Sequence, residues 1–273
     1  MRTMTKPAPV RAPKRRGEGV RALDRGLAIL GSLGDGSPRT LSQIATALDL
    51  PYSTTHRLLE TLVARDFVQQ SEPHGAYAIG VRAFEIGSSY VRGSLTDAAN
   101  RSMVALMEGL NETVNLAVRD RNHAIYLHQV EGRQKVRMFT RVGARVPLHC
   151  SGVGKALLAW EERSTVDALD HGAAFEHFTP NTRTTVADLV VDLDTTRATG
   201  YAVDLEEYEL GVRCVAAPVR DASGRTVAAL SVSAPLGRFG EDRLHAIGEQ
   251  LARSAADVSR RLGWSPAERS SAN

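Results

Sequence analysis

A chain of 273 residues with 42% hydrophobic and 24% charged side chains has enough apolar material for one large or two modest globular domains, and two is the better expectation. No run of about 18 apolar residues occurs and the basic start leads into no apolar block, so neither a membrane span nor a secretory leader is expected and the protein should be cytoplasmic. Cys150 and Cys214 are the only cysteines, too far apart for metal-finger spacing, which argues against a disulfide framework. The net charge of +3 is unevenly spread: residues 1–40 hold nine Lys and Arg against three acids, so the remainder is slightly acidic. A basic end on an acidic body suggests a polyanion partner at that end.

Taken in chain order, residues 1–19 read as a flexible basic arm, because Pro7, Pro9 and Pro13 lie among Lys and Arg without an apolar block. Val20 to Leu33 carries Leu23, Leu27, Ile29 and Leu30 at helical spacing, and the stretch from Gly34 to Pro38 is a loop. A second, short helix begins near Thr40 as N-cap, with Leu41, Ile44, Ala45 and Leu48 on one face. The chain turns at Pro51, since the residue before a proline is pushed out of the helical region. A third helix from about Ser53 to Arg65 repeats Leu58, Leu59, Leu62 and Val63 on one side.

The face opposite that stripe presents Ser53, Arg57 and Thr61, with Thr54 and His56 on its flanks. Two short helices joined by a tight turn, the second opening on Ser, Thr, His and Arg, match a helix-turn-helix whose recognition helix enters the major groove. Arg57 can pair with guanine, and Ser53 can either cap its helix or help seat a phosphate. After Asp66 the pattern changes to period two, giving a hairpin over Phe67–Gln70 and Ala76–Ile79 with His74 at its tip. A hairpin in that position is the wing of a winged helix. Arg25, Arg39 and Thr40 complete the candidate DNA contacts.

The run from Leu41 to Leu62, LSQIATALDLPYSTTHRLLETL, followed by GAYAIG up to Gly80, resembles the DNA-binding domain of IclR-type regulators. The likeness continues through PLHCSGVGKALLA from Pro147, GYAVD from Gly200, GVRCVAAP from Gly211 and AALSVS from Ala228, and covers residues 20–262. Asp49 and Asp66 stand where that family usually has glycine, and aspartate tolerates left-handed backbone better than most residues. The resemblance implies a winged helix-turn-helix over 20–80, a linker helix over 81–94, and a GAF-like effector-binding domain over 95–263, with 264–273 as a tail. Residues alone give the linker helix Val81 to Val91, interrupted at Gly87, and a helix from about Thr96 to Leu110. Strand candidates follow at Val114–Val118, Ala124–Val130 and Lys135–Thr140, and a last helix at Glu241–Leu262. The mix is α+β around an antiparallel sheet flanked by helices.

In the strand containing Ser231, Val232 and Ser233, a period of two sends both hydroxyls to one face and the valine to the other. Gly152 and Val153 precede a helix over Lys155–Trp160 and would offer backbone N–H groups at its start; His149 and Ala156 rule out a nucleotide-binding loop of Walker type. The resemblance adds Asp204 and Cys214, so that Gly152, Val153, Asp204, Cys214, Ser231 and Ser233 form the candidate effector site for a small organic or aromatic acid. It also implies a homodimer or a dimer of dimers on a palindromic double-stranded DNA operator, acting as a repressor, with no cofactor and no membrane partner. An enzyme is disfavoured, as no nucleophile elbow, zinc helix or dinucleotide fingerprint occurs. A metal- or redox-responsive alternative would bring together His149, Cys150, Asp204 and Cys214, which are chemically suited to zinc.

Overall fold

A computed structural model describes residues 20–72, 75–91, 94–135, 140–170 and 174–265. The basic arm, His74, the core of the strand expected over Lys135–Thr140 and the tail beyond 265 lie outside the described residues. The chain divides into two compact units with the break after Tyr90.

The first unit opens with α1 (Arg21–Leu33), α2 (Leu41–Leu48) and α3 (Tyr52–Val63), followed by the hairpin β1 (Val68–Gln70) and β2 (Tyr77–Ile79), and by α4 (Val81–Val91). Its core is built from Ile29, Leu33, Leu41, Ile44, Leu59, Val68 and Tyr77. Only the C-terminal half of α1 contributes: Leu23 and Leu27, expected on the apolar face, are 62% and 58% exposed. Thr40 caps α2 through a full capping box with Gln43, satisfying two N–H groups that would otherwise lack partners. Asp49 closes α2 at φ 51°, and Asp66 turns the chain into the wing at φ 59°, so both adopt the left-handed backbone at the positions where the sequence departs from glycine. Arg39 pairs with Tyr77 as an isolated bridge, so the residue before α2 is stitched to the wing. α4 runs unbroken through Gly87, because one glycine costs a helix only about 1 kcal/mol.

The second unit begins with α5 (Ser94–Leu110) and continues through β3 (Val114–Asp120), β4 (His123–Val130), β5 (Arg145–Pro147), α6 (Gly152–Leu158), α7 (Arg163–Asp167) and α8 (Val186–Thr199). It ends with β6 (Ala202–Leu205), β7 (Val212–Arg220), β8 (Thr226–Pro235) and α9 (Glu241–Arg261). Among the described residues the six strands form one antiparallel sheet in the order β5-β4-β3-β8-β7-β6. Alternation along each strand sorts the side chains into two cores. Val114, Leu116, Val215, Ala217, Leu230 and Val232 face α5 and α9. Ala117, Ala202, Ala216 and Ala229 face α6 and α8 with Val153, Leu157, Leu189 and Leu193. The small residues on this second face let α6 come close and set the position of the candidate site.

Candidate functional site

Two groups of residues can be placed separately, one in each unit. In the first, α3 starts at Tyr52, one residue earlier than expected, and its N-cap Pro51 has no side-chain capping bond. Ser53 therefore sits inside the helix and is not its cap. Ser53, His56, Arg57 and Thr61 are exposed and Thr54 is half-buried, while Thr55 and Leu59 hold the opposite face in the core. Thr55 fixes the first turn by donating its hydroxyl to the Pro51 carbonyl at 3.1 Å. Arg57 has no ion pair among the described residues, whereas His56 Nδ1 lies 3.5 Å from Glu60 Oε2 and the Thr61 hydroxyl donates to the Arg57 carbonyl.

Arg39, a candidate DNA contact, is engaged within its own unit. Its guanidinium bonds to both Asp35 oxygens, at 2.9 and 2.5 Å, and to the Ser32 carbonyl. Likewise, the Thr40 hydroxyl accepts from Gln43 N. Arg25 is half-buried on α1. Sequence reasoning missed Tyr52, which it assigned to the turn; it is 61% exposed as the first residue of α3, beside Ser53. Its signal was its place directly after proline, where a helix readily begins.

In the second unit the register brings four of the six effector-site candidates into one patch. Asp204 stands opposite Cys214, Cys214 opposite Ser233, and Ser231 opposite Ala216. Val232 points into the other core, as the period of two requires. Gly152 and Val153 join the patch from α6. A β-carbon at Gly152 would lie only 3.0 Å from the Cys214 sulfur, so glycine is what admits the start of α6 to this face. That helix begins at Gly152 rather than near Lys155, with Ser151 as N-cap accepting from Gly154 N at 3.2 Å. The N–H groups of Gly152 and Val153 consequently belong to the first turn, where no intrahelical acceptor exists.

All four sheet residues are at most 6% exposed. Burial, reinforced by the nearby Glu207 charge, pushes the Asp204 carboxyl up to about 7. It accepts the Glu207 N–H at 2.8 Å. Burial pushes the Cys214 thiol up to about 12 and raises the Cys150 thiol further. Neither is poised as a thiolate.

Around the patch lie residues that sequence reasoning did not single out. Lys155 Nζ bonds Glu207 Oε1 at 2.6 Å and Asp192 Oδ2 at 3.2 Å. Burial opposes its charge, but Glu207 and Asp192 outweigh that and hold its pKa above the usual value. The loop before α8 is tied down by Thr179 and Thr182, which donate to the Glu206 and Glu207 carbonyls, each at 2.7 Å. It carries Phe175 and Phe178. His149 stacks on Phe175 at 4.7 Å, and Phe178 meets Tyr208 at 5.1 Å, giving an aromatic wall. Burial lowers the His149 pKa, and its Nε2 lies 3.0 Å from the Glu176 carbonyl. Among the described residues no group of three or more His, Cys, Asp and Glu is placed to hold a metal ion. His149, Cys150, Asp204 and Cys214 thus give the metal alternative no support.

An exposed recognition helix with a wing, in a chain that also carries a sheet domain with a buried polar patch, defines a ligand-responsive DNA-binding regulator. Residues 22–72 match the IclR helix-turn-helix domain and residues 89–260 match the bacterial transcriptional regulator IclR C-terminal domain. The chain belongs to the IclR family of bacterial transcription regulators. It is 40% identical over 251 residues to the HTH-type transcriptional repressor AllR of Salmonella typhi, covering 91% of this chain and 92% of that one. With AllR of Escherichia coli (strain K12) it shares 40% over 248 residues, covering 90% and 92%. Solved structures with the same fold include the Thermotoga maritima IclR, with TM-score 0.74, 29% identity and coverage of 90% and 100%. Another is an IclR homolog from Microbacterium hydrocarbonoxydans complexed with 4-hydroxybenzoate, with TM-score 0.77, 26% identity and coverage of 88% and 98%.

Proposed function

We propose that this regulator is a repressor whose operator binding is controlled by a small organic acid held between α6 and the sheet. The observation that carries the reading is the buried patch of Asp204, Cys214, Ser231 and Ser233, closed by Gly152 and Val153. Such an acid could take hydrogen bonds from the two serines, from the N–H groups at the start of α6 and from Asp204 in its protonated form. The aromatic wall of His149, Phe175, Phe178 and Tyr208 favours an acid with a flat apolar body. The similarity to AllR supports repression, and the 4-hydroxybenzoate complex of the Microbacterium homolog supports an acid as effector. The part assigned to the protein is recognition rather than catalysis.

On the DNA side the contacts are Tyr52, Ser53, Thr54, His56 and Arg57 from α3 in the major groove, with Arg25, Thr61 and His74 at the backbone. Arg39 and Thr40 act mainly by fixing the start of α2. One winged helix reads a short half-site, so a palindromic operator and a homodimer, or a dimer of dimers, follow. Val81 and Phe84 one turn apart on α4, and Leu23 and Leu27 on α1 with its N-cap Val20, are exposed apolar side chains suited to such contacts. No helix among the described residues is long and apolar enough to cross a membrane, and we place the protein in the cytoplasm. A thermal-shift screen of short-chain and aromatic carboxylates tests the reading. At least one acid should raise the melting temperature of the wild type and not of Asp204→Ala; no response to any acid would remove the basis for an acid effector.

A further inference from the structure

One strand beyond the six effector-site residues, the same face of the sheet carries a second polar feature. Asn115 on β3 stands directly opposite Ser231 on β8, and both side chains are 0% exposed. The Asn115 amide nitrogen and the Ser231 hydroxyl oxygen are both buried without a hydrogen-bond partner. The Cys214 thiol feels the Ser231 hydroxyl, but a thiol is a weak hydrogen-bond partner. An unmet buried group of this kind is costly to stability, and folded proteins retain few of them without a use.

The other end of the Asn115 amide is fully engaged. Its oxygen accepts from Gln129 Nε2 at 3.1 Å and from the Thr140 hydroxyl at 2.9 Å, and Gln129 Nε2 also donates to the Thr140 carbonyl at 3.0 Å. That network fixes the amide so that its NH2 is the end left over. Ala216 stands opposite Ser231, and Ala117 and Ala229 lie two residues along β3 and β8, so the side chains flanking the pair on this face are small. Strand spacing of ~4.8 Å and a two-residue repeat of ~6.6 Å place Asn115 roughly 12 Å along the sheet from Cys214, with Ser231 between them.

We propose that Asn115 is a further effector-binding residue: with Ser231 it hydrogen-bonds an acceptor oxygen at the far end of an elongated acid whose carboxylate lies over Asp204, Cys214 and Ser233. The effector is then an acid with a distal hydroxyl or carbonyl oxygen, such as a ring-hydroxylated aromatic acid, and Asn115 selects for that oxygen. This rests on the reading of the patch as the effector site.

Calorimetric titration of the full chain with benzoate and with 4-hydroxybenzoate tests it. The wild type should prefer the hydroxylated acid by about tenfold or more. Asn115→Leu fills the space without a donor and Asn115→Ala removes the side chain beyond its β-carbon, so one variant remains informative if the other misfolds. Either variant should bring the preference close to one while holding benzoate affinity within about threefold. A wild type that binds both acids equally, or a preference that survives in the folded variants, overturns the role of Asn115 and leaves the site standing. A wild type that binds neither acid fails the site itself, and this inference with it.

Discussion

Lys155 Nζ lies 2.6 Å from Glu207 Oε1, and both side chains are almost completely buried, at 2% and 5% exposed. The pair joins α6 to the turn that follows β6, the strand that carries Asp204. Asp192, shared with Arg183 at the surface, completes the compensation.

Removing only one partner leaves an unpaired buried charge, which typically costs 3–5 kcal/mol. Lys155→Met should lower the unfolding free energy by about that much in urea titrations. The double variant Lys155→Met, Glu207→Gln should recover at least half of the loss, because neither ion of the pair is then left without its partner. A single variant as stable as the wild type would show that the pair carries no such coupling.

The Asp204 carboxyl titrates at about 7 in the folded chain, against about 3.9 when unfolded. Between those values the folded state holds a proton that the unfolded state has lost, so this group's stabilisation declines as pH rises across the window, by at most about 1.4 kcal/mol per pH unit, and levels off above the folded value. Asp204→Asn is neutral throughout. Its stability should therefore lack this slope, so that the wild-type-minus-variant difference falls from about pH 4 to about pH 7 and is flat beyond. Parallel curves for the two proteins would place the Asp204 titration elsewhere.

Arg57 projects from α3 without an ion pair among the described residues. Arg57→Ala should weaken binding to an operator selected from random duplexes by about 1–3 kcal/mol and relax the base preference at one position per half-site. The melting temperature should stay unchanged. Equal loss for all duplex sequences would make Arg57 a phosphate contact instead.

A β-carbon at Gly154 would meet the Leu148 carbonyl oxygen at 2.2 Å, whereas at Gly26, in the middle of α1, it would meet nothing within 4 Å. Gly154→Ala should destabilise by about 1–3 kcal/mol or more through forced displacement of α6. Gly26→Ala should instead stabilise by about 0.5–1 kcal/mol, through helix propensity alone. Chemical denaturation of the two variants side by side checks the contrast.

Much of this arrangement was legible in the sequence. The apolar stripe of α3, the cap at Thr40 and the split of Ser231 and Ser233 from Val232 all follow from periodicity, which is local. The start of α6 was misjudged because Gly152 and Gly154 read as breakers, while packing against Cys214 and Leu148 demands small residues there. Leu23 and Leu27 matched a helix face, but periodicity does not say how far along a helix the core extends. The clamp of Arg39 by Asp35 and Ser32 was not legible, since it depends on the fold of a loop. Asn115 and Lys155 were invisible for a related reason: pairing across strands and burial of a charge are set by contacts 37 or more residues apart in sequence.

The most direct test of the whole account is operator affinity measured by fluorescence anisotropy with and without the acid found to bind, for the wild type and for the variant Ser231→Ala, Ser233→Ala. The account predicts equal affinity of the two proteins for DNA in the absence of acid, with release of DNA by acid in the wild type alone. Release of the double variant at the same acid concentration as the wild type would contradict it.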